Sequence, residues 1–350
     1  MKANLTLEDI GRLAGVSRST VSRVINHSSS VRPDVRERVL DVIDKTGYTP
    51  NAAARSLVSG RTGLIGLVIP SRVHSLFEDP YFGRLIQGIS AACNRSGASL
   101  TLFLLQHESD EEALYPRVSN PGFLDGLVLT ATRMRDPLLA RMAIADVPIV
   151  VVGRPDVDGV SYVDVDNFGG ARMVAQHFCG SGYRRIGLVG APTDTTAGVD
   201  RLNGFVEGLA ECGVALDPSL RADGDFSEAG GYEAMQRIIP HGPDAVFAAS
   251  DTMAIGAMRA LREHGLTVPD DVALAGFDGS SASEMTDPPL TTVHQHVYET
   301  GERVIEVLNG VIANRRSGPV VDVQDVDLVV RASSGGVEAL HGSGVGVVGS

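Results

Sequence analysis

The sequence predicts an α plus α/β chain: an N-terminal three-helix helix-turn-helix head, a short connecting stretch, and two doubly wound α/β lobes. Two observations carry that expectation. The first fifty residues hold three short amphipathic segments separated by turn residues, and from Gly63 onward apolar runs of 5 to 8 residues alternate with longer amphipathic stretches. Apolar runs of that length read as parallel strands covered on both faces, because a half-exposed strand would alternate instead.

Each element of the head has a local cause. Thr6 is an N-cap, Ile10 and Leu13 give the first helix a buried stripe, and Gly15 supplies the positive φ that ends it. Ser17 caps a second helix with Val21, Val24 and Ile25 inward and Arg18, Ser19, Ser22 and Arg23 outward. Two short helices about a Gly turn are the signature of a unit whose second helix enters the major groove of DNA, although a corner between ordinary helices has the same pattern. Pro33 and Asp34 open a third helix carrying Val35, Val39, Val42 and Ile43 on one face.

Charge divides along the same line. Residues 1–60 hold nine Lys and Arg against six Asp and Glu, a net of +3, while the whole chain stands at −13 and the remainder at −16. A basic head on an acidic body suits a protein that meets phosphate with one end only.

Residues 51–61 follow, a stretch rich in Ala and Arg but only about two turns long. A helix that short is marginal in water, so it is either a linker or a helix that folds when something holds it. The body then runs in two series. The first takes strands GLIGLVIPS, SLTLFLLQ, DGLVLTA and VPIVVVG; the second, starting near Tyr162, takes RRIGLVGAP, ADGDF, DAVFAAS and DVALAGFD, with helices between. Each series is long enough to wind its own sheet. YVDVDN and TVHQH are extended pieces outside each series, and the helix after TVHQH is expected to return to the first lobe. The Gly/Ser-rich residues 332–350 are expected to be disordered.

TLEDIGRLAGVSRSTVSRVIN, then GYTPNAAARSL, then the repeated α/β body resemble the LacI/GalR family of bacterial transcription regulators, from about Thr6 to Arg331. The resemblance implies a head of residues 1–50, a hinge helix at 51–61, an effector core at 62–331 and a tail at 332–350. In the core, lobe 1 takes about 62–165 plus 296–323, and lobe 2 about 166–292 plus 324–331. It implies a homodimeric repressor on a near-palindromic double-stranded operator, controlled by a small-molecule effector of sugar type bound between lobes that resemble periplasmic sugar-binding proteins. DNA contacts then fall to Thr6, Ser17, Arg18, Ser19, Thr20, Ser22, Arg23, Asn26, His27, Tyr48 and Asn51. Leu57 would be a minor-groove wedge and Ala54 the small residue that permits close approach.

Ligands of open α/β sheets bind beyond the carboxyl ends of the strands. Asp79, Tyr81, Phe82, Asn167, Arg201, Phe226, Asp251 and Asp278 all stand there, and carboxylates, an arginine and aromatic faces suit a polyhydroxylated ligand. Arg201 in RLNGF and Asp278 in GFD match the family's effector contacts. Asp251 suits a helix cap equally well, Phe226 a core position, and Arg201 a salt bridge alone. The family often has Asn where this chain has Asp79 and Ser250, which leaves the sugar's identity open.

Catalysis finds little support. The nine His are scattered, with no HExxH and no GxSxG. His294 and His296 alternate on one strand and face one way, which a crossing between lobes explains more simply than a metal. Cys93, Cys179 and Cys212 are far apart in sequence and never in CxxC, so reduced, buried thiols are expected, with neither zinc nor a disulfide framework. Gly344, Gly346 and Gly349 have dinucleotide-loop spacing without a preceding strand, so no cofactor is expected. The polar start MKANLTLEDI lacks a secretory apolar run, and no membrane span is present, so the expected location is the cytoplasm.

Overall fold

The computed structural model describes residues 5–25, 30–48, 61–69, 79–105, 108–120, 122–130, 133–314 and 318–335. Asn26, His27, Asn51, Ala54, Leu57, nearly all of the hinge stretch and residues 336–350 lie outside them. The chain separates into two compact units, Met1–Thr62 and Gly63–Ser350.

The first unit is three helices, α1 (Leu7–Ala14), α2 (Arg18–Ile25) and α3 (Pro33–Thr46). Thr6 and Asp9 form a capping box, the Thr6 hydroxyl accepting from Asp9 N while the Asp9 carboxylate accepts from Thr6 N at 3.0 Å. Gly15 ends α1 at φ 68°, and the Ser17 hydroxyl accepts from Thr20 N at 3.2 Å to open α2. Ile10, Ala14, Val21, Val24 and Val39 make the core. Leu13 is a correction: it is 56% exposed. The second turn of α1 is instead pressed at Gly11, where a Cβ would stand 2.8 Å from the Val16 carbonyl, so the buried stripe runs through Ile10, Gly11 and Ala14.

The second unit holds two sheets. In the first, β1 (Leu64–Ile69), β2 (Ser99–Leu104), β3 (Gly126–Leu129), β4 (Ile149–Val152), β5 (Ser161–Val165) and β11 (Val321–Gln324) lie in the order 11-5-4-3-1-2, all parallel. In the second, β6 (Ile186–Gly190), β7 (Arg221–Asp223), β8 (Ala245–Ala248), β9 (Ala273–Asp278), β10 (Thr291–His294) and β12 (Asp327–Val329) lie in the order 12-10-9-8-6-7, with only β12 antiparallel. Both orders reverse direction beside their first strand, which places a crevice at the carboxyl ends of β1 and β6. YVDVDN and TVHQH therefore supply full strands of the two sheets, with all of β5, Thr291, Thr292 and Val293 at least half-buried.

Helices α4 (Pro80–Ser96), α5 (Glu108–Val118) and α6 (Pro137–Ala143) cover the first sheet; α7 (Asn167–Gly180), α8 (Thr196–Glu211), α9 (Glu228–Ile238), α10 (Asp251–Glu263) and the short α11 (Ser281–Glu284) belong to the second. Helix α12 (Val297–Ala313) comes after β10 yet packs on α4 and the first sheet. The approach is close, since a Cβ on Gly88 would lie 2.0 Å from the Tyr298 carbonyl. The chain thus crosses between lobes after β5, after β10 and between β11 and β12. These crossings are tied to one another, Asp166 N donating to the Gln324 carbonyl at 2.9 Å and Thr300 Oγ1 to Gln324 Oε1 at 2.7 Å.

The tail expectation fails at its first residues. Ala332–Ser334 form a 3-10 turn in which Ser333 and Ser334 are fully buried. Ser333 Oγ donates to the Leu274 carbonyl at 2.6 Å and accepts from Thr291 N at 2.8 Å, so Ser333 satisfies backbone groups of β9 and β10 that composition alone cannot reveal. The thiols differ as well: Cys93 and Cys179 are buried, but Cys212 is exposed. Among the described residues no helix is long and apolar enough to cross a membrane.

Candidate functional site

On the head, Arg18, Ser19 and Arg23 are exposed on α2 and Ser22 is half-buried. The Ser17 hydroxyl lies 2.8 Å from that of Ser19 and 2.9 Å from that of Thr20, so Ser17 and Thr20 are engaged in opening the helix. Thr6 is likewise engaged in its capping box, and Tyr48 packs partly against the head's core. Arg18 Nη1 pairs with Glu8 of α1 at 3.2 Å. What α2 presents outward is two guanidiniums with hydroxyls between them, the chemistry that reads base edges and phosphates.

In the body, a cavity of about 540 Å³ opens between the lobes. Asp79, Tyr81, Phe82, Asn167, Arg201, Phe226 and Asp278 all line it. Asp251 does not: it is 1% exposed, and its carboxylate accepts from Thr292 Oγ1 at 2.6 Å and Ser280 N at 2.7 Å. It does not cap α10 either, because Ser250 does, accepting from Met253 N at 3.2 Å.

Arg201 is the fixed point of the cavity. It is 5% exposed, with Nε donating to Asn167 Oδ1 at 2.8 Å, Nη1 donating to the Ala249 carbonyl, and its guanidinium 3.7 Å from the centre of the Phe277 ring. Nη1 also faces Asp278 Oδ1 at 3.4 Å, and Gln295 Nε2 donates to the same oxygen. Burial drives the Asp278 carboxyl well above the ordinary range, with Arg201 opposing it. Phe226 and Asp278 sit at φ 70° and 117°, conformations that non-glycine residues hold only when their surroundings impose them.

Two further carboxylates face the space. Asp79 caps α4, accepting from Tyr81 N at 3.0 Å, and burial raises it. Asp164 accepts from Val165 N at 2.8 Å, Asn167 Nδ2 at 3.0 Å and Arg154 N at 3.1 Å, and burial raises it too. At the rim the lobes are bridged by ion pairs: Arg133 with Asp194, and Arg154 with Asp200 at 2.6 Å. Thr196 Oγ1 adds a bond to the Arg154 carbonyl at 2.6 Å.

Thr130, Arg133, Arg154, Asp164, Thr195, Gln295 and Thr300 line the cavity without having been singled out from sequence. Thr130, Arg133, Arg154 and Thr195 stand just past strands, where the carboxyl-end rule finds them if applied to every strand. Gln295 and Thr300 belong to a crossing, for which sequence offers no such rule. The His294 and His296 rings meet edge-on, centres 4.4 Å apart, with His296 Nε2 2.9 Å from Asp327; among the described residues no three His, Cys, Asp or Glu are grouped to hold a metal.

Residues 6–51 match the model of bacterial regulatory proteins of the lacI family, and residues 175–334 that of a periplasmic binding protein-like domain. The HTH-type transcriptional regulator CelR of Thermobifida fusca is 39% identical over 333 residues, covering 94% of this chain and 98% of that protein. The HTH-type transcriptional repressor PurR of Escherichia coli O139:H28 is 34% identical over 319 residues, covering 90% and 92%. Among solved structures, a CelR–cellobiose complex superposes with a TM-score of 0.75 at 37% identity, covering 94% of this chain and 100% of that one. A lac repressor dimer bound to operator and the anti-inducer ONPF gives 0.80 at 27%, covering 94% and 99%. With relatives this similar along nearly its whole length, and a head and lobes of matching build, the chain belongs to the lacI family of bacterial regulatory proteins, transcriptional regulators that bind DNA.

Proposed function

We propose that the cavity takes a neutral, polyhydroxylated ligand of disaccharide type, and that this ligand sets the operator affinity of a homodimeric cytoplasmic repressor. One observation carries the ligand class: all three arginines lining the cavity already face carboxylates, Arg133 with Asp194, Arg154 with Asp200 and Arg201 with Asp278. An anionic ligand would meet Asp79 and Asp164 with no guanidinium to itself, whereas hydroxyls donate to those oxygens and a sugar's apolar face stacks on Tyr81 or Phe226. The cavity lies within the ordinary range of about 300–1,000 Å³ for small-molecule sites. The CelR relative is known in complex with cellobiose, which supports the same class.

In this reading residues 1–50 are the DNA-binding head, 51–61 the hinge and 62–331 the effector core. Arg18 and Arg23 lead the reading of the operator. Titration calorimetry against neutral disaccharides, sugar phosphates and purines tests the ligand class, and gel shift with the best binder tests the coupling. Heat with a purine or a sugar phosphate, and none with neutral sugars, would overturn it.

A further inference from the structure

Helices α7 and α8 of the second lobe run side by side in one direction, and their contacts advance along both in step. A Cβ on Gly204 would stand 2.0 Å from the Phe168 carbonyl, and one on Gly208 would stand 2.8 Å from that of Arg172. One turn on, Arg172 Nε and Gln176 Nε2 both donate to the Glu211 carboxylate, at 2.9 and 2.8 Å. The next step of this register brings Cys179, in the last turn of α7, beside Cys212, which caps the end of α8. Cys212 is open to solvent and Cys179 is buried.

We propose that Cys179 and Cys212 are a reactive dithiol, a modification site on the second lobe that a small-molecule disulfide oxidises to an intramolecular disulfide. The exposed sulfur acts first. Cys212, as its thiolate, attacks one sulfur of the reagent RSSR to give Cys212–S–S–R, and the departing RS⁻ takes up the proton that Cys212 gave to water. Cys179 then attacks the Cys212 sulfur, and the second RS⁻ leaves with the Cys179 proton. Two electrons pass from the protein to the reagent, and the products are one protein disulfide and two RSH.

Burial, with Cys212 beside it, pushes the Cys179 thiol up to about 11, so Cys212 rather than Cys179 starts the exchange. Cys93, 1% exposed in the core of the first lobe, serves as an internal control. At about 1.5 Å per residue, Cys179 lies on the order of 18 Å along α7 from Asn167, so this site is separate from the cavity.

The test treats the folded full-length protein with oxidised glutathione, then maps thiols by alkylation, intact mass and peptide mass. Free thiols are expected to fall from the chain's three to the single Cys93, with no glutathione retained and a peptide pair joined through Cys179 and Cys212. In Cys179→Ser, glutathione should remain on Cys212. A wild-type chain that keeps glutathione on Cys212 while Cys179 is still alkylated, that links to a second chain through Cys212, or that loses no thiol overturns the proposal. The wild-type result stands whether or not the variant folds.

Discussion

The head and the cavity each set an arginine against a carboxylate, and the two pairs differ in the solvent around them. Arg18 and Glu8 meet at 3.2 Å with side chains 61% and 64% exposed; Arg201 and Asp278 meet at 3.4 Å with side chains 6% and 10% exposed. An exposed pair contributes about 0.2–1 kcal/mol, so Arg18 can leave Glu8 for a base edge or a phosphate at small cost. A buried charge has no such freedom, because leaving its partner means standing unpaired in a poorly solvated place. One arginine is free to change partners, while the other is held by Asn167, the Ala249 carbonyl and the Phe277 ring. Reading a sequence of bases calls for the first kind, and presenting a fixed surface to one small molecule calls for the second.

Cutting each pair should give the largest contrast. Arg201→Ala strips Asp278, Asn167 and the Ala249 carbonyl of their buried partner and should cost about 3–5 kcal/mol of body stability, read as a shift in urea unfolding. Arg18→Ala should move the head's stability by less than about 1 kcal/mol. Replacing both partners, Arg201→Met with Asp278→Asn, should cost less than the sum of the single changes. Equal losses from Arg201→Ala and Arg18→Ala would break the distinction.

The two regions should also answer pH with opposite sign. Burial lifts Asp251 to about 6, so the folded body keeps a proton there that the unfolded chain has released. A folded pKa above the unfolded one means stability falls as pH rises from about 4 to about 6, by on the order of 2–3 kcal/mol for one such group, and is level above that. Asp79, Asp164 and Asp278 are pushed the same way by burial. In the head, hydrogen bonds from the Thr6 backbone and hydroxyl lower Asp9, so its contribution is present above the unfolded pKa and is lost as pH falls through the folded one. Urea midpoints from about pH 2 to pH 7 check both signs, and Asp251→Asn should flatten the body's decline. A decline unchanged by that substitution removes Asp251 as its source.

Which parts of this were legible follows from the range of the interactions. The head could be read because Thr6, Gly15 and Ser17 act on backbone within four residues of themselves. Leu13 misled because a helix covered by two short neighbours buries only a narrow stripe, and spacing does not say which edge of the stripe is left open. In the cavity, Arg201, Asn167 and Asp278 announced themselves by position after strands, whereas Gln295 arrives on a crossing whose course depends on both sheets. Ser333, Ser334 and the Cys179–Cys212 pair were hidden for one reason: their partners are set by strand and helix register, and composition there reads as disorder or as isolated thiols.

A change at the DNA-reading face should be no larger than either effect on the body. If Arg18 grips a guanine by O6 and N7, Arg18→Ala should erase about 1–3 kcal/mol of preference among operator variants and leave weak, salt-sensitive binding. Competition gel shifts at one salt concentration measure it. A uniform loss across all sequences would make Arg18 a phosphate contact and move base reading to Ser19, Ser22 or Arg23.

The smallest effect sharpens the comparison most. Glu8 lies in the first turn of α1, where a carboxylate faces the positive end of the helix dipole, and it also holds Arg18. Glu8→Gln gives up both contributions, about 0.3–1 kcal/mol from the dipole and about 0.2–1 kcal/mol from the pair, so the head's stability should fall by about 0.5 kcal/mol or a little more. Operator affinity should move the other way. With no carboxylate to leave, Arg18 binds DNA without giving up a pair of about 0.2–1 kcal/mol, a gain of up to about fivefold at low salt that fades as salt screens the charges. If Glu8→Gln weakens operator binding instead, Glu8 was aiming the guanidinium rather than merely occupying it. The head's arginine would then be prepositioned by its partner, as Arg201 is in the cavity, and solvent exposure would no longer separate the two sites.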